Sequence, residues 1–377
     1  MDSLYYIISF VVIITIVVFF HELGHYLAAK KCGVKVEKFS IGMGPELFGF
    51  NDKHGTRWMF SLIPIGGYVM MLGDNDISSS KSDEEAIKSM SGEERKMTLE
   101  SKSNWQKMFV SFCGPFANFV YAFIVMSAVF LFCGVPSGNP EIIKVVQESP
   151  AFIAGLQVGD EILEIDSTPI EKDTQVPKLI NSSLNDYIDF KVRRNGESIS
   201  LKIKPEEKKV SSTFGPEKKV KTIGVAFGVT KYEKTNVFNA IQKSFFNCID
   251  MILGVLNAFG QLLTGKQSVD NLGGFIQMAS ISGEIAKTGN IVALIMFTVT
   301  LSINLGVINL FPLPVVDGGN IVISFIEQII RRPINKKIMN FILNVGIALL
   351  IGLMLFTTIN DIAKIGFVKK ILNAILY

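Results

Sequence analysis

Residues 4–25 read LYYIISFVVIITIVVFF and then HELGH, so 17 residues without a charge (Leu4 to Phe20) run straight into His21-Glu22-Leu23-Gly24-His25. A run of that length lies at the lower edge of a membrane-spanning helix, which takes about 20 residues. A signal peptide would bring a basic start, a shorter apolar core and a small-residue cleavage site, and no Lys or Arg precedes this run. The helix is expected to continue to about Ala29. On a helix, residues four apart share a face about one turn (~5.4 Å) apart. His21 and His25 can therefore reach one Zn2+ at about 2.0–2.1 Å. Glu22 then stands where a carboxylate takes a proton from water beside the ion. Ionisable groups inside a membrane are expensive and are usually paired or functional. The bland alternative is a chance HExxH, with the histidines at the interface and the glutamate paired to a lysine.

The remaining composition agrees with a membrane setting. The 377 residues suggest two or three folding units. Apolar residues make up 49% and charged residues 19%, against about 25% charged in soluble domains. That balance argues against a wholly soluble enzyme and against disorder. The net charge, 37 − 34 = +3, is too balanced for a nucleic-acid binder. Cys32, Cys113, Cys133 and Cys248 form no CxxC pair, which argues against a disulfide framework or a cysteine-only zinc site. The third histidine, His54, has no comparable partner and reads as a surface or structural residue.

Further spans are expected at about 108–135, 291–312 and 338–359, giving four with the first (about 4–29). Residues 237–263 contain Lys243 and Asp250 and read as an amphipathic helix along the interface. Lys30, Lys31, Lys35 and Lys38 follow the first span, Lys102 and Lys107 precede the second, and Arg331, Arg332, Lys336 and Lys337 lie between the last two. By the positive-inside rule, 30–107 and 313–337 are expected inside, and the N-terminus and 136–290 outside. The C-terminus would then lie outside, where Lys364, Lys369 and Lys370 fit the rule poorly.

Between the spans the sequence changes character. Residues 34–72 are rich in Gly and aromatics and read as strands broken by turns, apolar enough to press on or dip into the bilayer. Residues 74–103 read as a solvated loop, and 205–221 as a charged linker. Residues 139–208 alternate β-branched runs with Gly, Pro and Asp turns, which marks a small mostly-β domain. Within it, GLQVGDEILEID (155–166) resembles the core signature of a PDZ domain. Such domains bind extended peptides at a sheet edge; a spacer or steric filter without a peptide ligand is the equal alternative.

A catalytic zinc needs a third protein ligand. The candidate is Asp317 in NLFPLPVVDGG (309–319), at the inner end of the third span. Pro312 and Pro314 break the helix, and Gly318 and Gly319 allow close approach. The topology brings this segment to the same membrane face as HELGH.

Taken together, HExxH in the first span, GPFAN (114–118) in the second, a PDZ-like insertion, and NxxPxPxxDG near the end resemble the M50-type site-2 proteases. The resemblance is to the RseP-like branch that performs regulated intramembrane proteolysis in bacteria, and it covers nearly the whole chain. It implies an α-helical polytopic membrane protein of about four spans, with a membrane-associated β-structure and one PDZ-like extracytoplasmic domain. It further implies a zinc endopeptidase of the bacterial inner membrane, with its site near the cytoplasmic face. His21, His25 and Asp317 would be the metal ligands, Glu22 the catalytic base, and Asn309 and Asn118 substrate contacts; for Gly114 and Asn118 ordinary helix packing is the alternative. Implied partners are the bilayer and single-span membrane proteins such as anti-sigma factors and remnant signal peptides, with no nucleic acid. Val316 stands where the family often has Leu, one PDZ-like domain is found where relatives often carry two, and NLGGF (271–275) stands where many have Ser-Gly-Pro. A non-catalytic PDZ-bearing membrane adaptor is the alternative function. A metal transporter fits less well, because spans two and four carry no ionisable residues.

Overall fold

The computed structural model describes residues 2–74, 84–170, 175–183, 185–212, 215–228, 231–265, 269 and 272–364. The chain divides into two compact units, residues 1–126, 243–264 and 270–377, and residues 127–242 with 265–269.

The first unit is built on α1 (Asp2–Lys31), whose two ends do different work. Ile13 and Val17, four residues apart, are buried against Leu301 of α9 (Ile291–Asn309). The same i→i+4 row, carried one and two turns further, presents His21 and His25. α4 (Asn104–Cys133) begins four residues before the expected span. Ser103 and Gln106 exchange hydrogen bonds there, Gln106 N–H to Ser103 Oγ at 3.4 Å and Ser103 N–H to Gln106 Oε1 at 3.1 Å. α4 crosses α1 without room for side chains: a Cβ on Gly24 would lie 2.1 Å from the Cys113 carbonyl oxygen.

Between these helices run β1 (Val36–Asn51) and β2 (Arg57–Met71), the strands expected over 34–72. Residues 36–41 of β1 pair with 67–71 of β2 on one side, and 38–41 pair with 57–60 on the other, while 46–51 pair with 57–61. The first half of β1 therefore lies inside the sheet, and Phe39 is wholly buried, stacked on Trp58 at 4.2 Å. At the turn, the Asp52 carboxylate accepts from the N–H groups of His54 and Thr56 and from Tyr26 Oη, all at 2.8 Å, and from Trp58 Nε1 at 3.3 Å. His54 is exposed at this turn. The stretch expected to be a loop carries two short helices, α2 (Glu84–Ser89) and α3 (Gly92–Lys96). The second starts at a capping box of Ser91 and Glu94, a spacing visible in the sequence.

The C-terminal part adds α7 (Val237–Leu263), α8 (Phe275–Lys287), α9, α10 (Asp317–Ile330) and α11 (Lys336–Lys364). α9 ends at Asn309, three residues short of the expected span, where Pro312 and Pro314 forbid continuation. α8 is tied at both ends. The buried Asp361 of α11 accepts from Gly274 N–H at 3.0 Å and Gln277 N–H at 2.9 Å. Near the other end Ser282 meets Ser9 of α1 at 3.2 Å, and Lys287 Nζ donates to Tyr6 Oη at 2.8 Å. Among the described residues five helices (α1, α4, α7, α9 and α11) are long and apolar enough to cross a membrane. α7 meets that criterion despite Lys243 and Asp250, and like α11 it is mostly unburied. Its exposed Phe238, Phe245, Phe246, Leu253 and Leu256 need an apolar surrounding.

The second unit is centred on a six-stranded antiparallel sheet, over residues read in the sequence as mostly β. β4 (Glu141–Val145), β5 (Glu161–Ile165), β7 (Ile188–Arg194), β8 (Glu197–Ile203) and β11 (Val225–Gly228) run in the order β11-β4-β5-β7-β8, with β6 (Thr168–Pro169) on β5. Because β11 pairs with β4, the sheet draws on residues well past 208. Ile142, Ile162, Ile165, Phe190 and Val192 form its core, with α6 (Gln175–Ser182) contributing Val176 and Ile180. The charged stretch expected as a linker is a hairpin, β9 (Glu206–Ser212) with β10 (Gly215–Thr222). Its strands carry runs of Glu and Lys instead of alternating apolar residues, so no period of two announces them. β3 (Val135–Ser137) pairs with β12 (Lys231–Glu233), and α5 (Pro150–Ile153) completes the unit.

Candidate metal centre

The helix row of α1 and the turn between α9 and α10 meet at one point. His21 Nε2 lies 3.2 Å from His25 Nε2 and 3.2 Å from Asp317 Oδ2, and His25 Nε2 lies 3.3 Å from Asp317 Oδ1. The two imidazoles are nearly perpendicular, 85° between planes, so both nitrogens converge. Donors held about 2.0–2.1 Å from one ion at tetrahedral angles stand about 3.3–3.4 Å apart. The two Nε2 atoms stand near that spacing, and each lies as far from one of the two Asp317 oxygens, so the three residues suit a zinc ion beside a cavity of about 450 Å³. Among the described residues these three form the group of His, Cys and acidic side chains placed to hold a metal.

Each of the three side chains is held by local structure. His25 Nδ1 is 2.9 Å from the carbonyl oxygen of Val110 on α4. A carbonyl only accepts, so the proton sits on Nδ1 and the Nε2 lone pair faces the triangle. Gly114 makes space for that ring, since a Cβ there would lie 2.2 Å from His25 Nε2. Pro115, inside α4, removes the hydrogen bond that residue 115 would donate to the Ser111 carbonyl, and Ser111 lines the cavity. Asp317 is the first residue of α10, where the positive end of the helix dipole favours a carboxylate. The turn before it is tight. A Cβ on Gly318 would lie 2.1 Å from the Phe311 carbonyl oxygen, and one on Gly319 2.2 Å from that of Leu313. Val315 has φ +83°, a left-handed conformation that a β-branched residue rarely adopts, costing about 1–3 kcal/mol.

The remaining residues singled out in the sequence also come to this point, in different ways. Glu22 lines the cavity, and its carboxylate accepts a hydrogen bond from the Val69 N–H of β2. Asn309 ends α9 with Nδ2 at 3.2 Å from His21 Nε2, facing the same cavity. Asn118 Nδ2 lies 3.3 Å from His21 Nδ1, on the far side of the ring. Asn118 is wholly buried, so it offers no surface to a substrate. Sequence reasoning did not single out Gly67, Tyr68 and Val69 of β2, Met43 of β1, or Val110 and Val315. Val110 acts through its backbone carbonyl, which leaves no trace in residue type.

Two imidazoles one helical turn apart, a remote carboxylate and an adjacent glutamate on one cavity are a residue set that suits metal-dependent hydrolysis. Comparison with known proteins places the chain. The model of peptidase family M50 matches residues 9–353. "Putative zinc metalloprotease Atu1380" of Agrobacterium fabrum is 35% identical over 364 residues, 96% of either chain. "Putative zinc metalloprotease mll0638" of Mesorhizobium japonicum is 32% identical over 360 residues, 94% of this chain and 98% of its own. "Metalloprotease MmpA" of Caulobacter vibrioides is 30% identical over 387 residues, 97% of either chain. The chain belongs to peptidase family M50, and it is a multi-pass membrane protein.

Proposed function

We propose that this zinc metalloprotease cuts a peptide bond within a transmembrane segment of single-span membrane proteins, in the manner of regulated intramembrane proteolysis. The observation that carries the reading is the triangle His21–His25–Asp317, with Glu22 on the same cavity at the end of an apolar helix. His21, His25 and Asp317 would hold the zinc through two Nε2 atoms and a carboxylate oxygen. A bound zinc supplies Lewis acidity, polarising an oxygen and making water a stronger acid. Glu22 takes a proton from the attacking water and passes it to the leaving amine nitrogen as the C–N bond breaks. Asn309, beside His21 on the cavity wall, offers a donor to the substrate backbone.

A helical substrate hides its carbonyls in its own hydrogen bonds, so it unwinds before attack. Residues 67–71 of β2 lie along the cavity and give an extended segment a strand to lie against. The substrates suggested by the family resemblance are anti-sigma-factor-like proteins or remnant signal peptides. The site would lie near the cytoplasmic face of a bacterial inner membrane, and the PDZ-like domain over 139–208 outside, as peptide binder or size filter.

The test is co-expression of single-span candidates with the wild type or with Glu22→Gln. The variant is expected to lose cleavage by about 10²- to 10⁴-fold while retaining zinc. An adaptor would keep its phenotype in the variant, and cleavage surviving the substitution would overturn the reading.

A further inference from the structure

We propose that Asn118 is a positioning residue: its amide oxygen accepts from Nδ1–H of His21 and so holds that ring as an Nε2 donor. The inference rests on the zinc reading of the site. His25 sets the pattern. Its Nδ1 faces the Val110 carbonyl at 2.9 Å, which leaves Nε2 free to bind a cation. His21 must meet the same condition, since its Nε2 faces His25, Asp317 and Asn309 at 3.2 Å each. The side chain beside its Nδ1 is that of Asn118, at 3.3 Å.

The two ends of an Asn amide are nearly equal in shape and opposite in chemistry. With the NH2 group toward the ring, His21 would have to accept at Nδ1 and carry its proton on Nε2, where the ion belongs. The same orientation leaves Asn118 Oδ1 buried without a hydrogen-bond partner among the described residues, a costly arrangement. Turning the amide about its Cβ–Cγ bond removes the conflict at the ring: Oδ1 meets the ring N–H and Nε2 keeps its lone pair, while the NH2 group takes the place of the unpartnered oxygen. The main chain fixes the position, because Ser302 Oγ of α9 donates to the Asn118 carbonyl at 3.0 Å. Asn118 is 0% exposed and cannot be a substrate contact. Its amide oxygen would do for His21 what a backbone carbonyl does for His25.

Such partners of metal-bound histidines contribute about 10- to 100-fold in metal affinity. The test uses the purified full chain and competition for zinc by a chelator, with the visible spectrum of the Co2+-substituted protein as a second readout. Asn118→Leu removes the acceptor and is expected to weaken zinc binding about 10- to 100-fold and to alter the Co2+ spectrum. Asn118→Asp retains an acceptor and is expected to bind zinc close to wild type. Equal loss in both variants, or wild-type affinity in Asn118→Leu, would overturn the proposal. Should Asn118→Leu fail to fold, 15N-imidazole resonances of the zinc-loaded wild type decide. The chain has three histidines, and His54→Gln removes one set of signals. A protonated Nδ1 on His21 supports the proposal and an unprotonated one refutes it. His21→Ala separates the two levels. If it holds zinc like wild type, the metal reading itself fails; if it loses zinc while Asn118→Leu does not, only the role of Asn118 fails.

Discussion

At the scale of single residues, the two histidines of the proposed zinc site depend on groups that carry no catalytic chemistry. Gly114 shows this best, because the His25 ring occupies the space a side chain would take. Gly114→Ala is expected to push the ring off its position, with about 1–3 kcal/mol of overpacking strain. If that strain falls on the site, zinc affinity drops roughly 5- to 150-fold, as chelator competition would show. That His21, Glu22, His25 and Asp317 could share one place was open in the sequence, since residue types able to hold a metal are few and two stand at helical spacing. The sequence left Gly114 open between packing and site contact, because a glycine looks the same in either role. Asn118 was legible as polar in an apolar span, but which face of the His21 ring it touches depends on how α1 and α4 cross. At that crossing a Cβ on Gly24 would lie 2.1 Å from the Cys113 carbonyl oxygen, a close approach no spacing rule reveals.

At the scale of elements, the turn from Leu310 to Val316 fixes Asp317, the proposed third ligand. Gly318→Ala is expected to cost about 2 kcal/mol or more, because its Cβ would meet main chain, which cannot swing aside. Val315→Gly releases a strained φ and is expected to leave stability within about 1 kcal/mol of wild type. Thermal unfolding of the two metal-free variants distinguishes them. The β1–β2 turn carries a pH dependence of its own. Partial burial works against ionisation of Asp52, but donors from Thr56, Tyr26, His54 and Trp58 outweigh it and hold the carboxyl well below its usual range. A depressed folded-state value means stability present above the unfolded value and lost as pH falls toward the folded one. Acidification from about pH 5 to pH 2 is therefore expected to loosen this turn, read from Trp58 fluorescence in a Trp105→Phe background. Asp52→Asn should remove that dependence. The strands over 34–72 were legible from their turns and aromatics, whereas the double pairing of residues 38–41 was not. Register there follows from which side chains fill the space around Phe39.

At the scale of the whole molecule, the chain holds two cores of different kinds. The sheet unit closes on Asp160, whose carboxylate receives both Nε and Nη2 of Arg194, at 2.7 and 2.6 Å, and the Gln157 N–H at 2.9 Å. Arg194→Ala strands a buried carboxylate and is expected to cost about 3–5 kcal/mol. Calorimetry should show the sheet unit melting earlier while the zinc content of the protein stays unchanged. The charge pattern makes a topological prediction as well. Cysteines placed at His54 and Asn195 should react with an impermeant reagent from opposite sides, and ones at Lys234 and Gly289 from the same side if α7 lies along the interface. The order of spans and soluble parts was readable because hydropathy changes abruptly along the chain. The number of crossings was less so, because α7 satisfies length and composition yet carries Lys243 and Asp250.

The ties at the two ends of α8 bear on all of this. Asp361 holds its start, and Ser9 and Tyr6 hold its far end. The first helix of the chain and the last one described are thus clasped together by a third, although some 350 positions of sequence separate them. Two residues of the triangle, His21 and His25, ride on the first of these helices, and the third, Asp317, opens α10. Pulling the first of these helices away from the last would mean unfastening that clasp.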